Sequence, residues 1–324
     1  FTRKTIAYFC DTYYPIVDGV IKVLENYARL VIEIGVNLQK GQGLEIICPV
    51  EKYQVAEALT KAGYQAGAKI VQVRWSAQNI DKLNYENASL DVLTDIPKWY
   101  VDSKNYLVEN GFCYVAVSAE DPSAFKHISA QKIGEIYKER SKALKKYSDA
   151  IMANKIRWCV VSVPTYAWAK QIFPDAENPE EELSNAIIKT MRLDKKNPLS
   201  AWKEHIATLE KRAEFLNFSN FEYIHFKNSI GTDLTVGLCD NHIWTSAKEK
   251  AQDGVGFVAN LPTEEVFTAP HKNKVDGVVK SAMPLIYNGN IIDGITLEFK
   301  NGKVVKYSAQ KGEGTLKGLI ETDA

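Results

Sequence analysis

Two adjacent carboxylates, Glu264 and Glu265, lie in the segment Asn260-Leu261-Pro262-Thr263-Glu264-Glu265-Val266-Phe267-Thr268-Ala269-Pro270, between two prolines and beside a Val-Phe pair. Hard or borderline divalent cations take carboxylate oxygens, and a two-metal site uses a bridging carboxylate between ions about 3.5–4 Å apart. On an extended chain neighbouring side chains point to opposite faces, so one Glu can face a cleft while the other meets solvent or a partner. Composition alone favours a solvated loop, because most Glu residues are exposed. Both readings stay open at this level.

The remaining chemistry-bearing residues do not converge in sequence. His127, His205, His225, His242 and His271 are scattered, with no H-E-x-x-H motif and no pair at helical i, i+4 spacing. His271 follows Glu265 closely, but Pro270 intervenes. The five cysteines (Cys10, Cys48, Cys113, Cys159 and Cys239) form no C-x-x-C pair, and three of them sit in apolar β-like runs. They read as reduced thiols of a cytoplasmic protein, behaving as small hydrophobes. Lys40-Gly41-Gln42-Gly43 precedes a strand, whereas a dinucleotide-binding glycine loop follows one, so it reads as a turn. Ser118-Ala119-Glu120-Asp121 closes a strand on the side where open α/β sheets bind ligands; a substrate-side segment and a simple turn fit it equally. No G-x-S-x-G elbow or Cys/His pairing designates a nucleophile, so the sequence names no catalytic residue.

The elements that must position these residues follow two grammars. Up to about residue 218, apolar strand runs (Lys4–Cys10, Leu44–Cys48, Lys69–Trp75, Phe112–Ser118, Arg157–Val163) alternate with helices. The helices are expected at Val20–Ile34, Glu51–Ala62, Ile96–Asn110 and Ser129–Lys155, with two more opened by Asn178-Pro179 and Asn197-Pro198. A strand, helix and strand within about 30 residues imply a βαβ crossover and a parallel sheet. The Glu180-Glu181-Glu182 triplet is a helix start favoured by the dipole, not a metal site. Beyond residue 220, the runs Glu222–Lys227, Thr232–Leu238, Gly277–Ser281, Leu285–Tyr287, Ile291–Lys300 and Lys303–Ser308 are separated by Ser229-Ile230-Gly231, Asn288-Gly289 and Asn301-Gly302 turns. A short helix is expected over Gly312–Thr322. The fold class expected is thus an α/β N-terminal domain with a largely parallel sheet, followed by a β-rich α+β C-terminal domain. With 40 basic and 40 acidic residues, the chain has no net charge to drive broad nucleic-acid binding. No apolar run approaches the roughly 18 residues that span a membrane.

From about Tyr27 onward the sequence resembles the thermophilic-type metallo-aminopeptidases, the family of aminopeptidase T, aminopeptidase S and PepS. The stretches that carry the resemblance are GVNLQKGQGLEIICPVE (35–51), YQAGAKIVQVRW (64–75), RWCVVSVPTYAWAKQIFPD (157–175), GTDLTVGL (231–238) and NLPTEEVFTAP (260–270). The order and spacing continue through GNIIDGITLEFKNGKVV to the final LIETDA. The resemblance implies removal of N-terminal amino acids from peptides with two divalent metal ions, zinc or cobalt, in a cytoplasmic homodimer. It implies that the Glu before Val-Phe-Thr-Ala-Pro, Glu265, is a metal ligand facing inward, with Glu264 a less secure cleft or supporting residue. The domains it implies are 31–218, α/β, and 219–324, β-rich and catalytic.

Two departures generate further expectations. The family's other ligands lie downstream of the Thr-Asp that here precedes Ala324, so the chain is expected to be truncated with an incomplete site. Residues 2–30 resemble the opening of a family-four glycosyltransferase, which suggests a chimera. The competing functions are accordingly a truncated protein that only binds or dimerises, and a fragment of a nucleotide-sugar glycosyltransferase.

Overall fold

The computed structural model describes residues 18–121, 123–287 and 290–321. The strand expected at Lys4–Cys10, the Asn288-Gly289 turn, and most of the segment likened to a glycosyltransferase lie outside these residues. The chain divides into two compact units. One contains the described residues up to Ala124, Gln131–Leu209 and Ala247–Glu265; the other contains Phe125–Ala130, Glu210–Ser246 and the residues from Val266 onward.

The first unit is built as the alternation of strand and helix runs predicts. Helix α1 (Asp18–Leu30) continues into a π-helical turn, Val31–Gly35. Then come β1 (Gly43–Pro49), α2 (Tyr53–Gln65), β2 (Ile70–Ser76), α3 (Gln78–Asn87), α4 (Leu90–Thr94), α5 (Lys98–Glu109) and β3 (Cys113–Ser118). The helix expected over Ser129–Lys155 is two, α6 (Ala130–Ala143) and α7 (Lys145–Met152), because Leu144 leaves helical geometry at φ −94°, ψ 12°. They precede β4 (Trp158–Ser162), α8 (Tyr166–Ile172), α9 (Pro179–Thr190) and α10 (Pro198–Ser219), within which the division between the units falls. Pro179 opens α9 with Glu180, Glu181 and Glu182 in its first turn, as the dipole favours, although the Asn178 side chain makes no cap bond. Asn197 does cap: its Oδ1 accepts from the Ser200 backbone N–H at 3.2 Å.

These strands form a parallel sheet with β1 inside it, flanked by β2 and β3. Leu44, Ile46 and Cys48 of β1 are fully buried in a core shared with Tyr27, Leu30, Leu59, Val115, Val161 and Trp202. Each such apolar side chain contributes about 1.5–3 kcal/mol by leaving water. Gly35 lets the π turn approach the sheet, since a Cβ there would lie 2.8 Å from Cys159 Sγ. Burial pushes the thiols of Cys48 and Cys113 up to about 11 and that of Cys159 higher still. These three are inert apolar filler, as expected.

The fifth strand of this sheet comes from far downstream. After the ribbon β8 (Lys248–Lys250) and β9 (Gly256–Val258), the strand β10 (Asn260–Leu261) pairs in parallel with Val160 and Val161 of β4. Residues 247–265, read from sequence as part of the β-rich region, therefore belong to the parallel-sheet unit. Arg157, just before β4, ties them there. It is 2% exposed and donates to the Val36 carbonyl at 3.0 Å, while its other nitrogens bond Gln42 and Asp253.

The second unit is antiparallel. Strands β5 (Tyr223–Lys227), β6 (Asp233–Leu238), β12 (Pro270–Lys280), β15 (Thr296–Lys300) and β16 (Lys303–Ser308) form one sheet in the order β16-β15-β12-β6-β5. The short pairs β7 (Thr245–Ser246) with β11 (Val266–Phe267), and β13 (Leu285–Tyr287) with β14 (Asn290–Ile292), stand beside it. The strand expected over Ile291–Lys300 is broken by Gly294 at φ +62°, while Asp293 bridges to Lys311. Helix α11 (Glu313–Ile320) falls within the helix expected over Gly312–Thr322, whose last residue lies outside the described ones. Among the described residues no helix is long and apolar enough to cross a membrane.

Arg157→Met would orphan a buried carbonyl and two polar side chains. It is expected to lower unfolding stability by about 3 kcal/mol in urea titration, with the slope unchanged. A loss under ~1 kcal/mol would show that Arg157 does not hold this excursion in place.

Candidate metal-binding loop

The acidic pair follows directly on β10, so it leaves the sheet at its carboxyl end, where open parallel sheets present ligand-binding loops. Leu261, 2% exposed, anchors the strand in the core, and the Leu261–Pro262 peptide is cis. Beyond that anchor the two carboxylates have different surroundings.

Glu264 is held by two cationic or polar side chains of the same unit. Its Oε1 lies 2.7 Å from Arg192 Nη2 and its Oε2 lies 3.3 Å from His205 Nε2. The same His205 nitrogen is 2.9 Å from the Thr263 carbonyl. Both neighbours of that nitrogen are acceptors, so Nε2 carries the proton. Trp202 backs the arrangement: it is fully buried, donates from Nε1 to the Met191 carbonyl at 2.8 Å, meets His205 edge-on at 5.3 Å, and lies under the Arg192 guanidinium at 4.8 Å. Arg192 leaves α9 in the left-handed region at φ +56°, which turns its side chain back over the start of α10.

Glu265 is exposed, and its backbone N–H donates to Thr263 Oγ1 at 3.3 Å. Its carboxylate makes no hydrogen bond or ion pair among the described residues. Glu265, expected to face inward, is exposed here, and so is Glu264. Arg192 and His205 hold Glu264, whose side chain stays 66% exposed, while Glu265 has no such partner among the described residues. Sequence reading treated His205 only as a scattered histidine and did not name Arg192, so it paired neither with the loop. His205 stands 58 positions before Thr263 in a helix with no motif around it, so no local signal could have placed it.

The other candidates stay apart, as their spacing suggests. His225 bonds Asp233 at 2.7 Å on an exposed hairpin, His242 Nδ1 lies 2.9 Å from the Cys239 carbonyl, and His271 Nδ1 accepts from the Asn273 N–H at 3.1 Å. Gly41, at φ +83°, turns the chain into β1, in line with the turn reading of Lys40–Gly43. In the Ser118–Asp121 segment the Asp121 carboxylate accepts from the Ser123 N–H and hydroxyl, both at 2.9 Å, and the Asp121 N–H donates to Gln78 Oε1 at 2.8 Å. The Ser123 bonds are internal to a turn, and Gln78 ties that turn to the start of α3. Among the described residues no trio of His, Cys, Asp or Glu is arranged to hold a metal ion. Glu265 fits one position of a carboxylate-rich site, and the described residues do not complete the set.

The model of the thermophilic metalloprotease family M29 matches residues 21–324. The chain belongs to this family. It is 37% identical to aminopeptidase AmpS of Bacillus subtilis over 308 residues, covering 94% of this chain and 75% of that protein. It is also 37% identical to aminopeptidase 2 of Geobacillus stearothermophilus, covering 93% of this chain and 73% of the relative. Wild-type AmpT from Thermus thermophilus superposes with a TM-score of 0.85 at 33% identity, covering 94% of this chain and 75% of that one. The M29 match begins inside the segment likened to a glycosyltransferase, and the chimera is not borne out by these comparisons. The α/β and β-rich architecture agrees with that of this M29 relative.

Glu264→Gln removes the anionic partner of Arg192 and His205 at a position whose side chain is 66% exposed. The expected loss is under ~1 kcal/mol by urea denaturation. A larger loss would show that the ion pair, not the burial of Leu261 and Trp202, holds the loop.

Proposed function

We propose that this chain removes N-terminal residues from peptides in a metal-dependent reaction, with Glu265 as one carboxylate ligand. The protein is a metallo-aminopeptidase by family, and dependence on divalent metal comes with that membership. The observation that carries the assignment to Glu265 is local. It is the unpaired, exposed carboxylate of an acidic loop at the carboxyl end of a parallel sheet, directly before Val266-Phe267-Thr268-Ala269-Pro270. Its neighbour is committed to Arg192 and His205, which leaves Glu265 as the available donor.

The finer reading is two ions, zinc or cobalt, in a cytoplasmic homodimer acting on peptides. The large exposed aromatics Phe215 (62%), Phe218 (91%) and Phe221 (44%) near the end of α10, the first and last with rings 6.5 Å apart, support an interface between copies, because exposed apolar surface can mark association sites. Light scattering should then report twice the monomer mass, and Phe218→Glu should shift it toward monomer. A monomeric wild-type chain would remove this reading.

Amino-acyl p-nitroanilides should be cleaved with added zinc or cobalt and not after chelation. Glu265→Gln is expected to lower kcat/KM by at least ~10²-fold and to weaken cobalt binding in parallel, since even supporting groups around metals are worth 10–100-fold. Unchanged activity and unchanged metal affinity in that variant would refute the assignment.

A further inference from the structure

Outside the acidic loop, the first unit carries a cleft of about 650 Å³ between one face of α1 and the beginning of α10. Lys22, Asn26 and Arg29 recur at helical spacing along α1, and Lys196, Asn197, Pro198, Leu199, Ser200 and Lys203 form the opposite wall. Four of these side chains are cationic and none is acidic, in a chain whose basic and acidic residues balance at 40 each. Lys22, Lys196 and Lys203 form no ion pair among the described residues. Arg29 engages Glu33 through Nε alone, at 2.9 Å. The Asn26 amide and the Ser200 hydroxyl add uncharged polar groups with no hydrogen bond of their own among the described residues. Four like charges around one cavity repel each other, so the arrangement works against stability unless an anion is bound.

We propose that this cleft binds a small oligophosphate, as a free phosphate chain or as the phosphate tail of a nucleotide. The volume lies in the range of small-molecule sites, about 300–1,000 Å³. Several unpaired ammonium groups and a guanidinium match a ligand that concentrates several negative charges in a short span. A peptide occupant would need apolar subsites, and among the described residues Pro198 and Leu199 are the cleft's only apolar lining. A nucleic-acid duplex needs an extended basic stripe, which a concave patch in a chain of zero net charge does not offer. The site shares no residue with the acidic loop and is independent of the metal assignment.

The test is isothermal titration of the full chain with sodium tripolyphosphate and, separately, ATP, in chelator to keep divalent ions out. Saturable one-to-one binding is expected, weakened at least tenfold in Lys196→Glu/Lys203→Glu and in Lys22→Glu. It should be unchanged in Lys211→Glu, an equally exposed lysine further along the same helix. Equal affinity for both probes would assign the phosphate chain as the ligand, and tighter ATP binding would assign a nucleotide. No saturable binding at millimolar probe, equal weakening in Lys211→Glu, or tighter binding of a DNA duplex than of either probe would overturn the proposal. Circular dichroism of each variant separates lost binding from lost folding, because all four substituted lysines are exposed.

Discussion

Two residues of parallel pairing govern where this protein's acidic loop lies. Asn260 and Leu261 sit against Val160 and Val161, and the Val160 N–H donates to the Ala259 carbonyl at 2.8 Å. So short a strand cannot hold itself by backbone bonds alone, each worth about 1 kcal/mol net. What secures it is burial: Leu261 enters the main core, and Phe257 and Ala259 pack with Ala251 and Trp158 in a smaller one. Arg157 adds directional ties to Val36, Gln42 and Asp253. The loop that follows inherits its position from these contacts.

The acidic pair shows how a local physical rule leaves its outcome to the tertiary structure. Opposite faces for neighbouring side chains is a property of extended backbone, and Glu264 and Glu265 differ in their partners. Which of them finds a partner depends on what the fold places opposite. Arg192 arrives from the end of α9 and His205 from the second turn of α10, and both meet Glu264. The carboxylate next to the Val-Phe pair remains uncommitted, which is the condition a metal donor requires.

A second polar device lies inside the sheet. Glu45, 2% exposed on β1, accepts from Lys104 and Arg74, each at 3.0 Å, and Lys104 lies over the rings of Tyr114 and Tyr147 at 5.6 and 5.4 Å. Burial holds the Lys104 ammonium below its usual range despite the attraction of Glu45. Burial likewise lifts the Tyr114 hydroxyl to about 12. A charge inside a sheet is tolerable only with such partners. Nothing in the run GLEIICP announces them, because Lys104 lies 59 residues away on α5.

Much of the fold was legible in the sequence because it rests on local physics. The apolar runs around Leu44–Cys48 and Arg157–Val163 formed strands. Pro179 with its Glu triplet started a helix, and Asn301-Gly302, with both residues at positive φ, closed the β15–β16 hairpin. Family membership was legible too, through NLPTEEVFTAP and its companion segments. The return of residues 247–265 to the parallel sheet, the capture of Glu264 by Arg192 and His205, and the basic cleft between α1 and α10 were not. Periodicity and turn chemistry act over a few neighbouring residues, so the sequence by itself determined the elements and their grammar. The choice of partners across 58 or 100 residues comes from packing and long-range electrostatics, and only the tertiary structure decided it.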